Sequence, residues 1–302
     1  MILEHLQPDA SMLDGAVVVV RALYYLSTLG AAGLALFAIG FGHRLEPSEN
    51  ARLRAVLLTG IAVGLTLSVL SLALRVRVLT AGASSFDAEV WAAVMRSRIG
   101  DAFWLRAAGL AMIGAAATAW RAGPALASVG AALVFASYAA MGHSTLYNPR
   151  QELAALVVAH LALVAFWVGS LPPLAWVARR RDGTSAAALI ADWARAATIA
   201  VGAMIATGAL LGWYLTLRLD RILDAWHGWA LAAKTLLVLA ALALALRNRT
   251  RLTPALARGE AAAGARLAVA IRTEMAIVAL VFYAAAEMVS VHPADYGHRI
   301  QG

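Results

Sequence analysis

Residues 141–176, MGHSTLYNPRQELAALVVAHLALVAFWVGSLPPLAW, decide the fold of this chain. From Glu152 onward the stretch is a long apolar run without alternation, long enough to cross a bilayer core of about 30 Å as a helix. It contains His160, and His143 lies just before the polar turn that precedes the run. An ionisable side chain there is costly, so a functional site is one hypothesis for His160. A core histidine hydrogen-bonded to a neighbouring helix is the other.

Similar apolar runs recur along all 302 residues, of which 62% are hydrophobic and 14% charged. A backbone in lipid must satisfy its own hydrogen bonds, and long Ala- and Leu-rich runs favour helices over a closed barrel. We therefore predict an all-α integral membrane bundle, one domain of eight transmembrane helices. The predicted spans are about 15–41, 53–79, 101–120, 125–141, 152–178, 193–217, 229–246 and 273–290. We also expect a short interfacial helix over 85–98.

The distribution of Lys and Arg among the loops predicts the orientation. Segments 42–54, 121–124, 179–195 and 247–272 carry 14 of them, whereas the loops and tails on the other side carry 8. By the positive-inside rule the first set is cytoplasmic, so both termini are expected to be periplasmic. This rule also accounts for the net charge of +8, so we expect no nucleic-acid partner.

Composition and motifs exclude several classes of site. The chain has no cysteine, which excludes disulfides, thiolate metal ligands and iron–sulfur clusters. It has no GxxxxGK[ST] loop, so direct use of ATP is not expected. No enzymatic activity is predicted.

The remaining candidates for chemistry are metal ligands on the predicted periplasmic side. Neutral imidazole and thioether groups bind copper, and thioether selects Cu(I). With His143 and His160, the candidates are Met141, Met288, His227 and His292. Trp167 lies seven residues after His160, on the same helix face, where its indole ring could contact a soft cation. On a membrane helix, Met and Trp residues are also common in ordinary packing.

Four charged residues lie within or near the predicted spans: Arg21, Arg106, Lys234 and Glu287. Such residues are expected to face the protein interior or to extend towards the membrane surface. Glu287 is a candidate ligand or proton carrier, or the ion-pair partner of Arg21 or Arg106. Gly169 and Pro172-Pro173 are expected to break or kink the fifth span.

The order of these motifs resembles the CopD (PcoD) family of inner-membrane copper resistance and copper transport proteins. The central similarity is Gly142-His143, followed by His160, then Phe166-Trp167-Val168-Gly169 and Leu171-Pro172-Pro173-Leu174. Outside this centre the resemblance rests on Arg21, SRIGDAFWLRAAGL at 97–110, IATGALLGWYL at 205–215, the 232–256 segment with Lys234, Asn248 and Pro254, and Glu274. One departure is that Tyr24 and Tyr25 stand where the family often has a histidine.

The resemblance implies a protein of the bacterial inner membrane that moves copper, Cu(I) or Cu(II), between periplasm and cytoplasm. Uptake is the expected direction, and a small periplasmic carrier of the CopC type is the expected partner. Two other functions stay open. One is a membrane haem protein for electron transfer, because paired histidines on helices ligate haem. The other is a scaffold or sensor that docks a periplasmic copper carrier without moving copper.

Overall fold

The computed structural model describes residues 7–79, 88–118, 123–141, 149–215 and 226–290. Within these ranges the chain forms ten α-helices and no strand. A 3-10 turn, Gly42–Arg44, follows α1, and a π-helical turn, Asn248–Leu252, joins α8 to α9. The helices are α1 Gln7–Phe41, α2 Pro47–Leu79, α3 Ala88–Met95, α4 Arg98–Ala116, α5 Gly123–Ala139, α6 Arg150–Val177, α7 Gly183–Leu215, α8 Trp226–Arg247, α9 Thr253–Ala257 and α10 Ala263–Ser290.

Among the described helices, seven are long and apolar enough to cross a membrane: α1, α2, α4, α6, α7, α8 continued through α9, and α10. The prediction of an all-helical membrane bundle is therefore confirmed. The predicted fourth span corresponds to α5, which is apolar but only 17 residues long. That α5 also crosses, giving eight spans with periplasmic termini, stays a prediction.

Several helices begin earlier than predicted, because local capping groups extend them beyond the apolar run. α2 starts at Pro47, and the Glu49 carboxylate accepts a hydrogen bond from the Glu46 backbone N–H at 2.9 Å. A proline in the first turn and a glutamate that reaches back are common at helix starts. At the start of α7, the Asp182 carboxylate accepts from the backbone N–H groups of Thr184 and Ser185. A short helix, α3, is present within the segment 85–98, and its position at the membrane interface stays a prediction.

The expected break in α6 does not occur, since the helix is continuous through Pro172 and Pro173. Gly169 instead permits close contact with α1. A Cβ on Gly169 would lie 2.3 Å from the carbonyl carbon of Gly33, and a Cβ on Gly33 would lie 1.8 Å from the Ala165 oxygen. The backbones of α1 and α6 therefore touch directly. Small residues at helix interfaces are typical of membrane proteins, where close packing drives association.

α1 lies at the centre of the bundle, where it contacts α2, α5, α6 and α10. We call the end formed by turn Gly42–Arg44, loop 178–182 and turn Asn248–Leu252 the basic end, and the other the opposite end. At the basic end, the Arg180 guanidinium donates to both Glu49 carboxylate oxygens, at 2.9 and 2.5 Å, and to the Arg44 carbonyl. These hydrogen bonds raise the pKa of Arg180, so the buried ion pair between α2 and the α6–α7 loop stays charged.

Candidate functional site

The structure describes only some of the predicted copper ligands. His143 and His292 lie outside the described residues, and His227 lies in the first turn of α8, where only the backbone is described. Met141 and Met288 lie at the opposite end, Met141 just after α5 and Met288 in the last turn of α10. In the parts of the chain that are described, no group of three or more His, Asp and Glu side chains could hold a metal.

His160 faces α7, where its Nδ1 atom lies 3.2 Å from the Met204 carbonyl oxygen and 3.2 Å from the Thr207 hydroxyl. A carbonyl oxygen only accepts hydrogen bonds, so Nδ1 carries the proton that is shared with Met204. The other ring nitrogen, Nε2, is then the unprotonated one. A carbonyl that fixes the tautomer and orientation of a histidine in this way is the usual support of a metal-binding imidazole. The same contact also satisfies an ordinary buried histidine.

A buried polar cluster joins α6, α10 and the π-helical turn. The Trp167 indole Nε1 donates to Oε1 of Glu274 at 2.8 Å, and the Asn248 amide donates to Oε2 at 3.2 Å. Glu274 is only 2% exposed and forms no ion pair among the described side chains. A carboxylate in this setting is costly, and two neutral donors compensate for only part of its lost hydration.

A cavity of about 180 Å³ adjoins this cluster between α6, α7, α8 and α10, towards the basic end. Trp167, Glu274 and Asn248 line it, together with Trp193 and Arg249. Two buried polar atoms here, the Trp193 Nε1 and the Asn248 Oδ1, have no hydrogen-bond partner among the residues that the structure describes. Asn248 also begins the π-helical turn, and such turns often occur at functional sites. The cavity thus combines a buried carboxylate with unsatisfied polar groups.

A second cavity, of about 280 Å³, lies at the opposite end between α1, α2, α4 and α5. Arg21, Arg75 and Arg106 line it with three tyrosines, and Met141 is on its wall. The Arg106 guanidinium carbon lies 4.7 Å from the Tyr24 ring centroid and 4.5 Å from that of Tyr138. The tyrosine that replaces the expected histidine of α1 therefore contacts an arginine.

Other predicted residues occupy separate positions. Glu287 is half-buried near the end of α10, and no described ion pair joins it to Arg21 or Arg106. Its alternative roles as a ligand or a proton carrier stay predictions. Lys234 is half-buried in α8 and has no ion pair with any described carboxylate.

Sequence reasoning noted Glu274 and Asn248 without assigning them a partner. A weak signal was present, because each residue borders a long apolar run, although polar residues stand directly beside both of them. The sequence does not reveal that Glu274 binds Trp167, because the two residues are separated by 107 positions.

Comparison with protein-family models gives two matches. The model of the copper resistance protein D-like N-terminal domain matches residues 12–148, and that of copper resistance protein D matches residues 187–288. No curated protein and no solved structure matches the chain. The two matched segments lie on either side of residues 149–186, which contain α6, and together they cover well over half of the sequence. With the confirmed helical membrane architecture and the motifs described above, they show that this chain belongs to the copper resistance protein D family.

Proposed function

We propose that this protein moves copper ions through its bundle between the periplasm and the cytoplasm of a bacterium, as a multi-pass protein of the inner membrane. Uptake is the proposed direction. The observation that carries the proposal is the buried Glu274 carboxylate, held by Trp167 and Asn248 beside a cavity in the basic half of the bundle. Copper is the substrate here, not a resident cofactor.

The first argument for this proposal is that two groups able to attract copper lie along one helix. Trp167 follows His160 by seven residues on α6, about 10 Å along the helix axis. Through Trp167 the helix also contacts Glu274. A copper ion leaving the imidazole of His160 would therefore next meet the indole ring and the carboxylate.

The second step is chemical. The free Nε2 of His160 suits copper in either oxidation state, whereas a carboxylate oxygen attracts the cation by charge and binds Cu(I) weakly. Weak binding favours release, because a transported ion must be able to leave each site. Unpartnered Asn248 Oδ1 is a further oxygen near the same path. These features support a route with a tighter site at His160 and a weaker one at Glu274.

The third argument concerns how copper reaches the bundle. The predicted ligands His143, His227 and His292, with Met141 and Met288, are placed towards the opposite end by the predicted topology. They are proposed to receive copper from a periplasmic carrier of the CopC type. Arg21 and Arg106 at that end, and Lys234 in α8, are proposed to shape the route rather than to bind the ion.

The test compares copper uptake into proteoliposomes for the natural protein and for Glu274→Gln. Glutamine keeps the shape of the glutamate side chain, and its carbonyl oxygen accepts the hydrogen bond from Trp167. Its amide nitrogen can donate to Asn248 Oδ1, which has no described partner in the natural protein. The exchange therefore removes charge with little loss of hydrogen bonding. We expect the initial rate of copper uptake to fall by about tenfold or more, because one charge-assisted binding step is lost.

Glu152→Gln is the matched control, because Glu152 is exposed at the start of α6. It should transport copper at the natural rate. An unchanged rate in Glu274→Gln would remove Glu274 from the route. No flux with the natural protein, despite bound copper, would favour the scaffold or sensor, and bound iron with a haem absorption spectrum would favour the electron-transfer protein.

A further inference from the structure

We propose that the cavity at the opposite end, lined by Arg21, Arg75 and Arg106, is a binding site for a phosphate-type oxyanion. The oxyanion is either free phosphate or the headgroup of a phospholipid. This site is separate from the Glu274 cavity, and the proposal does not depend on copper transport.

The charge balance of the cavity is the first argument. Three guanidinium groups line it, and none of its described lining residues is acidic. Arg21 is 9% exposed and Arg106 is 3% exposed, while Arg75 is half-buried. No described ion pair involves any of the three. Burying like charges together without a counter-charge is strongly unfavourable, so an anion within the cavity is the direct way to balance them.

Arg106 supplies the second and more specific argument. Its Nε and Nη2 atoms are both buried, and within the described part of the chain neither has a hydrogen-bond partner. The Tyr24 and Tyr138 rings lie near its guanidinium carbon. Aromatic rings offset part of the charge, but they do not replace hydrogen-bond acceptors for the guanidinium N–H groups. Because Arg106 lines the cavity, an oxyanion bound there would lie beside the guanidinium that carries these two unpartnered donors.

The chemistry of the walls favours an oxyanion over a metal cation. Guanidinium groups only donate hydrogen bonds, and their forked geometry matches phosphate oxygens. Three of them suit a tetrahedral anion with several oxygens, and Tyr25 and Ser71, which carry hydroxyl groups, are also among the lining residues. Copper would be repelled by the three positive charges, although Met141 lies on the wall. A copper ion should therefore enter beside this cavity rather than through it.

The experiment measures anion binding to the purified full chain in detergent. After exhaustive delipidation, inorganic phosphate is titrated calorimetrically, with chloride as the comparison anion. In parallel, phosphorus analysis and native mass spectrometry count the phospholipid that remains bound before delipidation. Free phosphate as ligand predicts saturable binding in the titration. A lipid headgroup predicts about one retained phospholipid per chain, with weak or no binding of inorganic phosphate.

Arg106→Gln and Arg75→Gln test the site, because each removes one guanidinium from the wall. Either should weaken phosphate binding by about tenfold or more, or abolish the retained lipid, since charge-assisted hydrogen bonds are lost. Arg98→Gln is the control, as Arg98 is exposed on the same helix as Arg106. Arg75 borders the cavity and is less buried than Arg106, so its variant remains informative if Arg106→Gln does not fold.

Two outcomes would overturn the proposal, and the first needs only the natural protein. One is a natural protein that binds neither phosphate nor a stoichiometric phospholipid. The other is binding that folded Arg106→Gln and Arg75→Gln both retain as fully as the control Arg98→Gln. Copper uptake is not part of either measurement, so failure here leaves the transport proposal untouched.

Discussion

At the scale of single residues, the hydrogen bond from Trp167 to Glu274 gives a direct test of how the buried carboxylate is held. Trp167→Phe keeps an aromatic ring in the core but removes the Nε1 donor. The carboxylate then retains only the Asn248 contact. We expect a loss of about 1–3 kcal/mol of stability, because a buried acceptor is left unsatisfied, and a lower Tm in detergent measures it.

Trp213→Phe is the matched control for that exchange. Trp213 lies on α7 and is 65% exposed on the outer surface of the bundle. Its variant should keep the natural Tm within a degree or two, roughly the effect of a surface substitution. Equal losses in the two variants would mean that the Trp167 indole N–H does not matter and that only ring volume does.

Single residues also show how far the sequence alone could go. The apolar run around His160 predicts that this imidazole has a polar partner. In the structure its ring contacts the Met204 carbonyl of α7. The sequence does not decide whether His160 is a metal ligand or an ordinary core histidine. Its contact with the Met204 carbonyl is compatible with both interpretations. Partners of Glu274 and Arg106 come from other helices, and sequence spacing within one helix carries no information about them.

At the scale of helices, the contact between α1 and α6 depends on Gly33 and Gly169. Gly169→Ala places a methyl carbon 2.3 Å from the backbone of Gly33, so the two helices must move apart. Backbone atoms cannot yield as a flexible side chain would. We expect a loss of about 1–3 kcal/mol from overpacking, measured as a drop in Tm together with a lower yield of monodisperse protein.

Gly202→Ala makes the same exchange where no heavy atom lies within 4 Å of the new methyl group. Alanine favours a helix interior over glycine by roughly 0.5–1 kcal/mol, so this control should be neutral or slightly stabilising. A tolerated Gly169→Ala would show that α1 and α6 pack less closely than the structure indicates.

Helix identity was predictable because apolar length is a strong signal, and each predicted span corresponds to a helix. Helix ends were not. α7 begins at Gly183, ten residues before the predicted start at 193. The helix extends beyond its apolar run because the Asp182 carboxylate caps its first turn. From Gly169 and Pro172-Pro173 the sequence predicts a break or a kink; α6 has no break there, and the glycine allows a close contact with α1.

At the scale of the whole molecule, the orientation of the bundle stays a prediction that the absence of cysteine makes easy to test. Arg258→Cys places a thiol at an exposed position of the basic end, and Glu152→Cys places one at the opposite end. An impermeant thiol reagent applied to intact spheroplasts should label only Glu152→Cys, because the basic end is expected to be cytoplasmic.

Permeabilised cells supply the control, since both variants should then react. Labelling of Arg258→Cys in intact spheroplasts would reverse the topology. It would also reverse the order in which copper meets His160 and Glu274.

The packing of α1 against α10 has a consequence for biosynthesis. α1 is the first of the described helices to be translated and α10 is the last, yet they are neighbours in the bundle. At about 5–20 residues per second, the buried face of α1 waits on the order of ten seconds or more for its final partner. A ribosome that stalls before α10 would leave most helices inserted without Glu274. Membrane insertion and assembly of the carboxylate cluster are therefore separate events, and only a completed chain has both.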